Sequence, residues 1–207
     1  IPSWDDLKPQ QRVYAYHLTQ AGLAGRDIMW DCNYRHNLEI RKALEAILSS
    51  DANVDHESQQ YADFEVYAKR VFFANGIHHH YSNKKFASDF DQEWFLSVLD
   101  ALEITLSEES QRAIFDPEFD AKKVNRADGV DLLLASAVNF YAPDITQAEA
   151  EAFYATKVDA DPDRPVSHGL NSRLSRDENG EIYEEVFSAR GRYANSIKEI
   201  IGHLENA

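Results

Sequence analysis

The sequence predicts a mostly α-helical protein with a small β part, an α+β fold. Apolar residues recur at helical spacing over residues 40–48 and 95–106, which indicates two amphipathic helices. The stretch "GLNSRLSRDENGEIYEEVFS" instead holds two short strand-like arms around Asn179-Gly180, a frequent two-residue hairpin turn. Helical patterns occupy most of the remaining chain, so helices are expected to dominate.

Boundary signals support two further helices. One opens near Pro9, because proline suits the first turn, and runs to the region of residues 22–25. Another covers about residues 57–74 and stops at Asn75-Gly76, since both residues tolerate a left-handed backbone.

Three helices are predicted in the second half of the chain. The run "DGVDLLLASAVNFY" (residues 128–141) is apolar enough for a buried helix. Thr146 and Glu149 form a capping box that opens the next helix. The last helix follows from apolar residues spaced between Tyr193 and Leu204.

The predicted organisation is a helical N-terminal region over residues 1–160, followed by a hairpin and a helix over 161–207. The joint is the Pro- and Asp-rich run "DADPDRPVS". A lone hairpin is marginally stable in water, so its strands are expected to need partners beyond this chain. The chain also starts without Met and ends within a helical pattern. These features predict a fragment whose second lobe is completed elsewhere; the alternative is a complete short chain.

Charge and composition exclude several function classes. A net charge of -15 argues against a surface for nucleic acid or for anionic membranes, because both need clustered Lys and Arg. No apolar run is long enough to span a membrane. Cys32 is the one cysteine, so no internal disulfide forms. A soluble cytoplasmic protein is expected, with export as the alternative if a signal precedes Ile1.

The most distinctive stretch is "FFANGIHHHYSNKKF" (residues 72–86), which carries three consecutive histidines. A metal site, a solvated loop and a surface for substrate or partner all fit three histidines on a loop. Adjacent side chains diverge and no H-E-x-x-H motif occurs, so the sequence predicts neither a metal ligand nor a catalytic residue in this chain. A loop fixed by a helix favours the contact surface. The candidate substrate-binding residues are Asn75, His78, His79, His80, Tyr81 and Phe86.

Three stretches resemble the N-terminal portion of dipeptidyl peptidase III in its bacterial form. They are "CNYRHNLEIRKALEAI", "FFANGIHHHYSNKKF" and "SHGLNSRLSRDENGEIYEEVF". Their order along the chain is similar as well, and "NGIHHHYS" is the most specific piece.

This resemblance implies a two-lobed zinc metallopeptidase that removes dipeptides from the N-terminus of short peptides. The family's zinc is held by two histidines of an H-E-x-x-G-H type helix and by a later glutamate, and these segments are absent from the 207 residues. The chain would therefore supply part of the peptide-binding cleft, with no activity alone. Its implied partners are an oligopeptide substrate and the remainder of the same polypeptide, whose lower lobe holds a small β-barrel. The alternative is a related, non-catalytic helical module that binds peptide or protein.

Overall fold

Helices form most of the computed structural model, which describes residues 3–50, 54–157, 163 and 171–207. Two strands, β1 (Ser172–Arg176) and β2 (Ile182–Val186), pair antiparallel. The predicted fold class is confirmed. No helix in the described ranges has both the length and the apolar character needed to cross a membrane. In chain order the α-helices are α1 (Pro9–Ala24), α2 (Arg26–Asn33), α3 (Asn37–Ser49), α4 (Gln59–Ala74), α5 (Gln92–Ala101), α6 (Glu108–Phe115), α7 (Gln147–Ala155) and α8 (Ala194–Glu205).

The chain divides into two compact units. The first combines Ile1–Met29 with Val166–Ala207, and the second is Trp30–Pro165. In the first unit α1 packs against α8. The first helix and the C-terminal segment thus belong to one unit.

The second unit holds an aromatic core. α3 contacts both α4 and α5, and their apolar stripes meet between them. The rings of Phe64 and Phe90 lie edge to face with centroids 5.7 Å apart, and Phe90 lies 5.4 Å from Phe95. Each large apolar side chain buried in this way stabilises the fold by about 1.5–3 kcal/mol. This core is the rigid base on which the loop after α4 rests.

The end of α4 matches its prediction. Asn75 adopts a left-handed backbone with a φ of 53°, and the N–H of Gly76 donates to the carbonyl of Val71 at 3.0 Å. Gly76 itself has a φ of 150°. A Cβ there would lie 2.3 Å from Nδ2 of Asn37, so a side chain has no room. The chain therefore leaves α4 in a fixed direction.

The prediction of a helix over residues 128–141 is wrong. This segment forms turns, and its backbone is paired with distant residues. The N–H groups of Ala137 and Val138 donate to the carbonyls of Lys122 and Lys123 at 3.0 and 3.1 Å. Because these bonds replace helical ones, tertiary pairing outweighs the local preference.

The hairpin exists, but its turn is longer than predicted. Arg176 pairs with Ile182, so residues 177–181 form the connection. Oδ1 of Asp177 accepts from the N–H groups of Asn179 and Glu181, each at 2.9 Å. The Asp177 side chain thereby fixes a wider turn than Asn-Gly alone would make. Most of the predicted joint over residues 159–167 lies outside the described residues.

Candidate functional site

The loop after α4 is closed by its own backbone. We call residues 75–86 the histidine loop. The N–H of Phe86 donates to the carbonyl of Ile77 at 2.8 Å, and the N–H of His79 donates to the carbonyl of Lys84 at 2.8 Å. His78 and Lys85 form the bridge between these two bonds. The loop is therefore a short antiparallel turn with a defined base.

A second stretch, residues 116–123, lies beside the histidine loop, and we call it the supporting segment. The N–H of Lys85 donates to the carbonyl of Ala121 at 3.1 Å, and the N–H of Lys123 donates to the carbonyl of Asn83 at 2.9 Å. Lys84 and Lys122 form an antiparallel bridge between these bonds. Backbone pairing on this side fixes the loop within the second unit.

His78 is a buried anchor of the loop. Its side chain is 2% exposed, and Nε2 donates to the backbone oxygen of Asp120 at 2.7 Å. Its ring meets Tyr34 edge to face, with centroids 5.1 Å apart. Burial lowers the pKa of His78 to about 4, so the imidazole is neutral at physiological pH. A side chain so enclosed supports the loop from within the fold.

Asp120 joins three groups beneath the loop. Its Oδ2 accepts from the Tyr34 hydroxyl at 2.8 Å and from Nη2 of Arg35 at 2.7 Å, while its carbonyl accepts from His78. Burial and the adjacent Asp120 carboxylate raise the pKa of Tyr34 well above its usual range. The Tyr34 phenol therefore remains a donor to the Asp120 carboxylate. This bond fixes Asp120, whose carbonyl accepts from His78.

Asn75 and Lys85 are also occupied in holding the structure. The carbonyl of Asn75 accepts from Nδ2 of Asn33 at 3.0 Å. Nζ of Lys85 donates to the carbonyls of Asp116 and Phe119, just beyond the C-terminus of α6, where a cation is favourable. Burial lowers the pKa of Lys85. The Asn75 main chain and the Lys85 side chain therefore belong to the base of the loop.

The remaining rings form a surface that we call the ring patch: Phe73, His80 and Tyr81 are exposed, and His79 is half-buried. His79 and His80 stack with centroids 4.7 Å apart, and Tyr81 lies 4.3 Å from His80. Nδ1 of His79 accepts from the N–H groups of Tyr81 and Ser82, each at 3.2 Å. Tyr81 is 83% exposed and Phe73 is 78% exposed, which is unusual for large aromatic side chains.

Phe73 was missed in the sequence analysis. Its ring lies 5.3 Å from His80, although Phe73 belongs to α4 and not to the loop. The helical period offers a signal, because successive helical residues point about 100° apart and the core-facing side of α4 already contains Val71 and the partly buried Phe72.

A groove of about 430 Å³ lies next to the ring patch. Phe86 connects the two, because it lines the groove and its ring lies 5.9 Å from that of His79. Lys84 and Lys122 line the groove and have no ion-pair partner in the part of the chain that the structure describes. An apolar floor with two free ammonium groups suits an apolar side chain next to a carboxylate. The residues that line it are Lys84, Lys85, Phe86, Ala87, Ser88, Ile114, Phe115, Pro117, Ala121 and Lys122.

A second polar cluster resembles a catalytic triad but lacks its order. Oγ of Ser110 lies 3.2 Å from Nδ1 of His36, and Ser110 also donates to Glu39. In a working triad the carboxylate orients the histidine, and the serine must be reached by substrate. Here Glu39 binds Ser107 and Ser110 instead, and Ser110 is 0% exposed. The cluster fixes the start of α6 and has no access for chemistry.

No group of three or more His, Cys, Asp or Glu side chains converges on a possible metal position among residues 3–50, 54–157, 163 and 171–207. Comparison with protein-family models gives no match, and comparison with curated proteins gives none either.

Proposed function

We propose that this chain is the N-terminal part of a zinc-dependent dipeptidyl peptidase and supplies part of its peptide-binding cleft. The observation that carries the proposal is the ring patch, an exposed aromatic surface on a loop whose base is fixed by His78 and Asp120. The patch also lies in the stretch where resemblance to dipeptidyl peptidase III is most specific. Its partners are a short peptide and the remainder of the polypeptide.

The geometry supports binding of an extended peptide. Neutral imidazoles offer one donor and one acceptor, so His80 pairs with either an N–H or a C=O group of the peptide backbone. Tyr81 adds apolar area and a hydroxyl. The groove behind Phe86 receives an apolar side chain, and Lys84 attracts a carboxylate. Held in this way, a peptide is positioned without being changed, which is a large part of catalysis.

The described residues do not fit the zinc of that family, since they lack a converging set of three ligands. We therefore assign zinc and hydrolysis to segments outside this chain. A cytoplasmic location is part of the proposal, because a single buried cysteine suits a reducing compartment.

Peptide titration of this chain, followed by the heat of binding, tests the proposal. Tyr81→Ala and His80→Ala are each expected to raise the Kd for a tetrapeptide about tenfold, because an aromatic ring contributes most to the binding energy when the ligand covers it. Tyr14→Ala is the matched control, since Tyr14 is also an exposed tyrosine, on α1. An equal Kd in all four proteins would exclude the ring patch as the binding surface.

The reading frame past Ala207 separates the two candidate functions. An H-E-x-x-G-H segment downstream supports the peptidase. A stop codon together with intact peptide binding supports the non-catalytic binding module.

A further inference from the structure

The first unit contains a pair of histidines that the proposed function does not use. His17 lies on α1 and His203 on α8, and these helices pack against each other. Their Nδ1 atoms are 3.1 Å apart and their ring centroids 5.4 Å apart. Both side chains are half-buried, so water reaches the pair.

The separation of the two nitrogens matches the separation of two ligands on one ion. Imidazole nitrogens bind zinc at about 2.0–2.1 Å, so two of them at an angle of about 90–110° are about 2.9–3.3 Å apart. The observed 3.1 Å lies within that interval. An ion replaces the hydrogen bond at this nitrogen separation once each ring has turned so that its nitrogen faces the ion instead of the other ring.

We propose that His17 and His203 form a two-histidine site for a divalent transition metal ion that joins α1 to α8. Imidazole favours Zn²⁺, Ni²⁺ or Cu²⁺ over Mg²⁺ or Ca²⁺, which prefer oxygen ligands. Water fills the other coordination positions, because no third His, Cys, Asp or Glu converges there in the described ranges. The site is structural, since the ion binds only when both helices are in place, and it is independent of the proposed peptidase function.

Thermal unfolding of this chain with saturating ZnCl₂ or NiCl₂ tests the site. An ion that binds the folded state alone raises the Tm, by about 5 °C at a hundredfold excess over its Kd. His17→Gln and His203→Gln are each expected to abolish that rise. MgCl₂ is expected to have no effect on the parent.

The double variant His79→Gln/His80→Gln is the matched control, because it removes another close pair of rings. It should keep the full rise in Tm. The proposal is overturned if the Tm rises equally in the parent and in both single variants, or if it does not rise in the parent. It is also overturned if only the control loses the rise in Tm. His203→Gln near the end of α8 decides the question if His17→Gln fails to fold. Calorimetric titration of His203→Gln should detect one bound ion per chain fewer than titration of the parent.

Discussion

Nε2 of His78 donates a hydrogen bond of 2.7 Å to the backbone oxygen of Asp120, although 42 residues separate the two. Because of this bond, the three consecutive histidines have different environments. His78 faces the core, while His79 and His80 stack on the outside of the loop. The anchor and the exposed surface are therefore neighbours in sequence.

The free energy of unfolding is expected to fall as the pH decreases from 6.5 to 4. Burial lowers the pKa of His78 to about 4, so the unfolded chain takes up a proton in this range and the folded chain does not. The shift corresponds to a loss of about 3 kcal/mol once the pH is below 4. Burial lowers the pKa of His36 as well, which acts in the same direction. Urea unfolding at several pH values measures the slope.

His78→Gln isolates the contribution of that one residue. Glutamine keeps an amide donor at a similar reach but does not titrate in this range. The variant should show a shallower dependence on pH than the parent. Identical slopes in the two proteins would assign the acid sensitivity to other groups.

Gly76→Ala is expected to destabilise the fold by about 2–4 kcal/mol. The added methyl group would meet the Asn37 side chain at 2.3 Å, and the backbone is in a region that L-residues avoid. Asn37 could not move without losing its bonds to Trp30 and Ile77. Denaturant midpoints measure the effect.

Gly22→Ala provides the control for that substitution. Gly22 lies within α1, and nothing stands within 4 Å of its would-be Cβ. Alanine there should stabilise by about 0.5–1 kcal/mol through helix propensity. Similar effects of the two substitutions would contradict the account of Gly76.

Glu39→Gln is expected to lower the free energy of unfolding by about 1–3 kcal/mol at neutral pH. Burial acts to raise the pKa of Glu39, but hydrogen bonds from Ser107 and Ser110 outweigh it and the pKa lies below its usual value. The carboxylate form is thus favoured by folding, and its contribution is lost as the pH falls through that lowered pKa. Glu65→Gln, at an exposed pair with Lys69, should change stability by less than about 0.5 kcal/mol. Chemical denaturation of both variants shows whether the difference exists.

The isolated chain is expected to release no product from dipeptidyl arylamide substrates, with or without added zinc. The reason is that the described residues offer no three-ligand metal position, and the Ser110 side chain is buried. A fluorescence assay on highly purified protein measures this. Zinc-dependent release that copurifies with the chain through several steps would refute the prediction.

Local signals in the sequence were sufficient for elements with a strong period or a cap. The stripe over residues 40–48 lies within α3, and the capping box at Thr146 and Glu149 opens α7. The apolar run 128–141 was mistaken for a helix because its bonding partners, such as Lys122, are supplied by the tertiary fold. Burial of His78 was equally hidden, since it depends on Asp120 in another part of the chain. Periodicity reports the local environment, whereas a loop's contacts depend on distant residues.

The supporting segment holds the histidine loop mainly through main-chain atoms. The carbonyls of Asp116, Phe119 and Ala121 accept its bonds, and the N–H of Lys123 donates one back. Every amino acid has a carbonyl, and every one except proline has the amide hydrogen. Many positions of this segment are therefore expected to tolerate substitution while the loop keeps its shape, whereas replacement of Asp120 or a proline at position 123 would remove a bond.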